Sequence, residues 1–492
     1  MLLCAVLCSI TVLISVRFSL ALIFIAFAII IIFTLLISKN AKPQYIVVLI
    51  IVLLTVLSTV LNLSEIQKLN KLDKKRCDCE FIVNEVTFES LNYFRADITV
   101  TKSKLLKNGT KLSLNYYDGK FKIGDKVKAE ILLSKIEGKY KTLYYSEEVF
   151  LTAELENYKI LKGEEDLLLK GIGDLREYIR ETVFSYMPFR EAATLCALLM
   201  GDKDYFTAEF YDNVIKSGTA HVMVVSGMHL TIFVTMLTAL LNKVFYNRYI
   251  CAVLQIFAVL LLTFLCGFTM SMLRAGVMYS VVSVGLIIGR KSVPENSLGA
   301  AVSFILAVSP FAVFNVAFRL SVLSTFGILS VALPISKYLK EICIFRKCII
   351  KWVFESILVS VCATLLTLPV VIDVFGFVST VGVITTLIIT IPVTLSIWLG
   401  FIGLLINLLF SAEIVFIPCK YLLRFANYVI NEMGSLPFAV VNTDKVWIYI
   451  SILIIILIFS VLLACKKRND MLKLKRMREK IISEGGGKLK WR

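Results

Sequence analysis

From residue 220 to residue 465 the chain is one apolar run after another, at 220–242, 247–268, 271–289, 296–316, 318–335, 350–374, 378–410, 414–432 and 446–465. Most meet the length of about 18 nearly uncharged residues that a helix needs to cross a bilayer core. Within that core every backbone N–H and C=O must be satisfied inside the segment, so runs of this kind can only be helices. The predicted fold class is a polytopic α-helical membrane protein. Composition agrees, since 58% of residues are apolar and the mean hydropathy is +0.82, above soluble averages. The 378–410 run is long enough for two helices and is expected to break near Pro392. Breaks near Pro310 and Pro369 would fit a conduit in the same way, because irregular backbone at depth is tolerated beside a cavity. No internal repeat shows, which speaks against an inverted-repeat transporter.

Four further regions flank or interrupt these helices. Residues 1–63 hold apolar runs at 1–16, 18–38 and 44–63; the first is short for a span and is expected to be re-entrant or to pair with the second. It lacks a basic leader and a small-residue cleavage site, so it is read as a retained segment. Residues 64–166 are polar and alternate with period 2: Phe94, Ala96, Ile98 and Val100 on one face, then Leu112, Leu114 and Tyr116, then Val127, Ala129 and Ile131. Asp118-Gly119 reads as a tight hairpin. About five short strands predict an inserted OB-like β-barrel, placed outside the cytoplasm. Residues 167–219 predict amphipathic, interfacial helices: Leu175, Tyr178, Ile179, Thr182, Val183 and Tyr186 form an apolar stripe, with Arg176, Glu177 and Arg180 opposite and Asp174 as the expected cap. The tail, 466–492, carries eleven Lys or Arg against three acids, which places it in the cytoplasm against anionic lipid.

Chemistry-bearing residues are few. Ten of twelve cysteines lie in apolar or membrane-adjacent segments, where thiols act as small hydrophobes. Cys77 and Cys79 are two residues apart, a strained spacing for a disulfide. The chain has two histidines and no Cys/His ligand pattern, so neither a metal nor a cofactor is expected. His221 and His229 are eight residues apart, about 12 Å along a helix, too far to share an ion. Ser226 and His229 share a face and could hydrogen-bond, but Val225-Ser226-Gly227 is not a nucleophile elbow, and no carboxylate partner is apparent. Buried polar residues bonding helix to helix, or lining a wet path, explain them better than catalysis. Arg274 begins an otherwise apolar helix and could snorkel to the interface. Arg319 and Asp373 could form an ion pair within the membrane. The β region offers a basic stripe with interleaved rings (Lys111, Tyr116, Tyr117, Lys120, Lys122, Lys126 and Lys128), the combination that single-stranded nucleic acid binding uses. Against that, strand aromatics are usually core, and residues 64–166 carry 19 basic and 18 acidic side chains.

Gly201-Asp202, Ser217-Gly218-Thr219-Ala220-His221, Val225-Ser226-Gly227-Met228-His229, Arg274-Ala275, Phe318-Arg319-Leu320-Ser321, Leu368-Pro369, Phe375-Gly376 and Ile391-Pro392 together resemble the motif set of the ComEC family of bacterial DNA-uptake channels. The resemblance covers essentially the whole chain. It implies a channel, not an enzyme, that passes single-stranded DNA across the cytoplasmic membrane during natural transformation. His221, His229 and Arg274 would then be the first candidates to face the path, with Arg319 and Asp373 second and Ser226 also among the path candidates. Gly201, Asp202, Gly218, Gly227, Pro369, Gly376 and Pro392 would be structural members of the motifs. Two departures stand out. Arg319 occupies a position where the family usually has glutamine, and with two histidines in these residues the metallo-β-lactamase-like domain found in many members is not expected among them. The implied partners are single-stranded DNA, membrane lipids, a DNA receptor, a separate nuclease and a cytoplasmic ATPase motor. Rival readings are a secondary transporter of a small anion or polymer and an intramembrane hydrolase.

Overall fold

The computed structural model describes residues 2–17, 43–90, 93–117, 121–138, 141–161, 166–223, 225–245, 247–267, 269–289, 293–339, 348–410, 413–444 and 446–458. The expected 18–38 helix, the Asp118-Gly119 turn, Lys120 and the basic tail lie outside them. Five helices are long and apolar enough to cross a membrane, Ile50–Leu72, Gly227–Val244, Val316–Ser336, Val353–Phe375 and Gly382–Asn407, with three shorter apolar ones beside them. The protein is a multi-pass membrane protein with an inserted barrel. It divides into two units, residues 1–322 with 379–441, and residues 323–378 with 442–492.

In the first unit, α1 (Leu2–Arg17) packs against α2 (Pro43–Leu69), burying Cys4, Cys8 and Val12. The last turns of α2 continue past the membrane run, and Ile66 and Leu69 enter the floor of the β domain. That domain has five strands: β1 (Arg76–Ser90), β2 (Tyr93–Ser103), β3 (Lys111–Tyr116), β4 (Lys126–Lys135) and β5 (Leu151–Ile160). They close in the order β1-β2-β3-β5-β4, with β4 returning to β1 and β3 parallel to β5. The alternation read from sequence holds: Ala96, Ile98, Val100, Leu112, Leu114, Val127 and Ile131 are fully buried. The hairpin does not, because β3 pairs with β2 and β5, not with the next strand β4. Closure wins over the local turn signal, since a closed barrel leaves no strand edge unpaired. Bulges in β1 near Phe81, Glu85 and Phe88 supply the bend.

The barrel is docked by the short helix α3 (Lys141–Ser146). Phe311, in the 3-10 turn Pro310–Phe314, packs 5.9 Å from the Tyr145 ring and 6.0 Å from Phe150. Asn315 donates to Ser146 Oγ at 3.4 Å and accepts the Phe318 N–H, so it serves docking and capping. An acidic group, Glu147, exposed at its surface but flanked by protein, marks the barrel wall. Burial, with Asp97 and Glu85 nearby, pushes the Glu147 carboxyl up to about 7 against the pull of Arg95; burial likewise raises Glu85 and Asp97. A raised carboxyl favours the neutral form in the fold. Its contribution is therefore whole below the ordinary value of 4.5 and lost as pH climbs through about 7. Protection of barrel peptides against hydrogen exchange, taken relative to the base-catalysed intrinsic rate, is expected to fall between pH 5 and 8, and Glu147→Gln to flatten that fall. An unchanged profile in the variant would assign the effect elsewhere.

The chain then runs through α4 (Leu167–Tyr186), α5 (Phe189–Met200), α6 (Ala208–Lys216) and the one-turn α7 (Ala220–Met223), followed by α8 (Gly227–Val244), α9 (Arg248–Leu265), α10 (Met270–Ile287), α11 (Pro294–Val308) and α12 (Val316–Gly327). The stripe on α4 buries Ile179, Thr182 and Val183 as expected, but the helix starts earlier than Asp174: Asp166 is the cap, accepting from Leu168 and Leu169 N–H. After α13 (Leu333–Leu339) and α14 (Cys348–Phe375) come α15 (Gly382–Asn407) and α16 (Glu413–Ser435). Pro392 does not break α15, nor Pro369 α14. Around Pro392 the neighbours Ile389, Val393 and Ile397 are essentially inaccessible, and Ser396 donates to the Pro392 carbonyl at 2.8 Å; packing on this scale offsets the ~3 kcal/mol proline penalty. The 414–432 segment forms a helix, α16, but Lys420, Arg424 and Glu432 keep it from being apolar enough to span. In the second unit Gly327 lies against the Cys362 carbonyl, where an added methyl would sit at 2.7 Å, and Ser336 donates to Glu355 at 2.8 Å.

Candidate functional site: a junction of motif loops

The motif residues of the first unit, from Gly201 to Ser321 together with Gly382 at the start of α15, come together although they are far apart in sequence. Gly201 ends α5 in a left-handed conformation, φ 79°, and contacts Val225. Asp202, 4% exposed, holds Arg180 Nη2 at 2.9 Å. Arg180 also covers the Tyr205 ring at 5.5 Å. The sequence places Arg180 on the polar face of α4; what it points at emerges only when the Gly201-Asp202 turn folds back beside it.

Gly218 adopts φ +71°, and a methyl there would lie 2.9 Å from the Gly382 Cα at the start of α15. This contact seats the α6–α7 loop on α15. The Gly218 carbonyl accepts from His221 Nδ1 at 3.1 Å, which fixes the proton on that nitrogen and leaves Nε2 as an acceptor. The His221 side chain is exposed.

Ser226 caps α8. Its hydroxyl accepts the His229 N–H while His229 Nδ1 accepts the Ser226 N–H at 3.0 Å, a reciprocal capping box. Ser226 Oγ is 2.9 Å from the same nitrogen. Because a backbone N–H can only donate, Nδ1 is unprotonated and the ring proton sits on Nε2. Nε2 is buried without a hydrogen-bond partner, the Val222 carbonyl being the nearest polar influence. The lone pair a catalytic base would need is shared with the backbone, and among the described residues no carboxylate bonds either side chain. Ser226 and His229 here end a helix.

Arg274, on α10, is 6% exposed, so it does not snorkel. Its Nε donates to Ser321 Oγ at 2.9 Å and Nη1 approaches Met278 Sδ at 3.1 Å. Nη2 lies over Gly227: an added methyl would stand 2.8 Å from it and 3.2 Å from Ala275 Cβ. Three motif elements therefore touch at Gly227. His229 and Arg274, expected to face a passage, are buried, 3% and 6% exposed. Arg319 is half-buried with Nε unpartnered. Asp373 is exposed near the end of α14 and belongs to the second unit, so its pairing with Arg319 stays an expectation. Gly376, φ +73°, ends α14, and its carbonyl accepts the Thr443 N–H at 2.9 Å.

On the barrel, Lys102, Lys126 and Lys128 line a groove of about 640 Å³ with Asn108 and Glu80; Glu80 is 3.8 Å from Lys126. Lys122 is exposed and Tyr117 is 65% exposed. Tyr116 is a correction: inward-facing on β3, it is 1% exposed and stacks on Phe94 at 5.2 Å, so its ring belongs to the core. Lys111 is tied to Glu148 at 2.6 Å. Cys77 and Cys79 are free, buried thiols on the inner face of β1. Among the described residues no group of His, Cys, Asp and Glu could hold a metal.

A family model described as Competence protein matches residues 198–468, more than half of the chain and all of the motif junction. The chain belongs to the competence protein family. Among its relatives, ComE operon protein 3 of Bacillus subtilis is 24% identical over 155 residues, 32% of this chain and 20% of that protein. Uncharacterized protein MG316 of Mycoplasma genitalium is 33% identical over 134 residues, 27% of this chain and 34% of the relative. Its homologue in Mycoplasma pneumoniae is 32% identical over 124 residues, 25% and 31% respectively. The aligned stretches thus span a fifth to a third of these curated relatives. No solved structure matches the chain. For this competence-family chain, the motifs were visible in sequence, but their mutual contacts were not. Ser321 as the anchor of Arg274, and Arg180 as that of Asp202, had no signal beyond being polar beside apolar residues.

Proposed function

We propose that the protein carries single-stranded DNA across the cytoplasmic membrane in natural transformation. It would act as a conduit and not as an enzyme, with the barrel on the outer side and the basic tail in the cytoplasm. The observation that carries this reading is His221: an exposed imidazole among buried motif residues, held by the Gly218 carbonyl at 3.1 Å. A polyanion needs a hydrated, weakly cationic path that admits it and also lets it go, and an accessible imidazole suits that better than an exposed row of charges. Membership of the competence family supports the involvement of DNA. A nuclease, a receptor and a motor would be separate proteins.

The nine described free cysteines are all buried, so His221→Cys offers a site for a water-soluble thiol reagent. Labelling of that variant in whole cells is expected, with protection by a short single strand; no labelling, or labelling indifferent to DNA, would remove the conduit. On the barrel, Lys126→Gln and Lys128→Gln are each expected to weaken single-strand binding by the purified full-length protein and to lower the slope of log K against log salt by about 1. A slope unchanged in both would take DNA off this groove.

A further inference from the structure

Between α5, α6 and α16 lies a cavity of about 290 Å³ that none of the motif residues lines. Its walls lie outside every candidate span, so a ligand would reach it from water. Five rings form it: Phe189, Tyr205, Phe206, Phe210 and Tyr428. Phe206 and Phe210 meet edge to face at 5.1 Å, while Phe189 and Tyr428 remain 55% and 61% exposed. Polar groups sit at two levels. At one, Glu191, with a side chain 9% exposed, accepts from Arg424 Nε at 2.9 Å, which neutralises the acid and leaves both Arg424 Nη groups without a hydrogen bond among the described residues; the exposed Arg190 stands beside them. At the other, Asn431 accepts from Asn213 at 3.3 Å, and its own amide N–H groups remain unused. Asn427 is locked to Thr194 at 3.0 Å. Seven residues of helix separate Arg424 from Asn431, about 10 Å.

We infer that this cavity binds one nucleotide unit, with the phosphate at Arg424 and Arg190, the base among the rings and its edge at the Asn431 amide. The spacing matches the reach from a phosphate to the far edge of its base. The volume, at the small end of ligand sites, takes one nucleotide and no duplex. Ring stacking contributes about 1–3 kcal/mol per base and accepts any base, and one amide donor meets an acceptor on every base edge. The site therefore binds without sequence preference, and weakly enough to release. The inference rests on the DNA reading above and deepens it by giving the strand a place to be held.

The four tryptophans of the chain lie outside the cavity, so Tyr428→Trp adds a local reporter. Purified full-length Tyr428→Trp protein is titrated with each deoxynucleoside monophosphate, with deoxyribose 5-phosphate, and with phosphatidylglycerol vesicles. Saturable change of the added fluorescence by all four monophosphates and not by the sugar phosphate is expected. Adding Arg190→Gln, an exposed position whose loss spares the fold, should raise Kd about tenfold, as the loss of one charge-assisted contact does. No response to the monophosphates, or an equal response to sugar phosphate or to vesicles alone, overturns the nucleotide site. The DNA reading fails separately, if deleting the gene in a competent host leaves transformation intact; nucleotide binding could survive that result.

Discussion

Transformation is expected to fall at least tenfold in Gly227→Ala. The added methyl would meet Arg274 Nη2 at 2.8 Å and Ala275 Cβ at 3.2 Å, closer than packed atoms tolerate. The guanidinium, which donates to Ser321 at 2.9 Å through Nε, must shift to make room. Overpacking of this kind costs about 1–3 kcal/mol, and where it unseats a buried charge the uncompensated group adds to it. The functional loss should exceed the stability loss, because Gly227, Arg274 and Ser321 join three of the motif elements at this point. A double-variant cycle isolates the cause. If the clash with Arg274 is the mechanism, Gly227→Ala with Arg274→Ala transforms no worse than Arg274→Ala alone. Additive losses would mean that Gly227 matters for another reason, and normal transformation in Gly227→Ala would dismiss the junction as the centre of the molecule.

The second large effect falls on stability. Asp202 has a side chain 2% exposed and pairs with Arg180, itself 27% exposed, at 2.9 Å. Removing one member of a buried pair leaves the other charge uncompensated, at a cost of about 3–5 kcal/mol. The partial exposure of Arg180 and its contact with Tyr205 place Asp202→Ala near the lower end. Thermal unfolding of the purified protein in detergent should shift down by several degrees. In Arg180→Met with Asp202→Ala, most of that loss should return, since replacing both members of such a pair by apolar groups is often close to neutral. A double variant as unstable as the single would show that the turn geometry after Gly201, and not the charge, is what Asp202 supports.

Much of this architecture was legible in the residues. Apolar runs marked the helices, because a bilayer leaves the backbone no alternative to internal hydrogen bonding. Period-2 alternation gave the barrel's inner face position by position, from Ala96 to Ile131, since strand side chains alternate regardless of which strand lies alongside. The motif loops also stood out, as glycines, histidines and an arginine in surroundings that penalise them. Partners were another matter. Asp118-Gly119 predicted a hairpin from local turn chemistry, yet closure of the barrel sent β3 to β5. Pro392 predicted a break, but dense packing along α15 holds the helix through it.

The sequence by itself determined that this chain lies in a membrane, that it carries a barrel, and which few polar groups it keeps at depth, because each of these follows from the local cost of burying backbone or charge. Only the tertiary structure decided which of those groups face open space. Tyr116 and Arg274 were spent in packing, while His221 was left accessible. Exposure is a property of what stands opposite a side chain, and in a chain whose contacts join residues some 200 positions apart, nothing local records it.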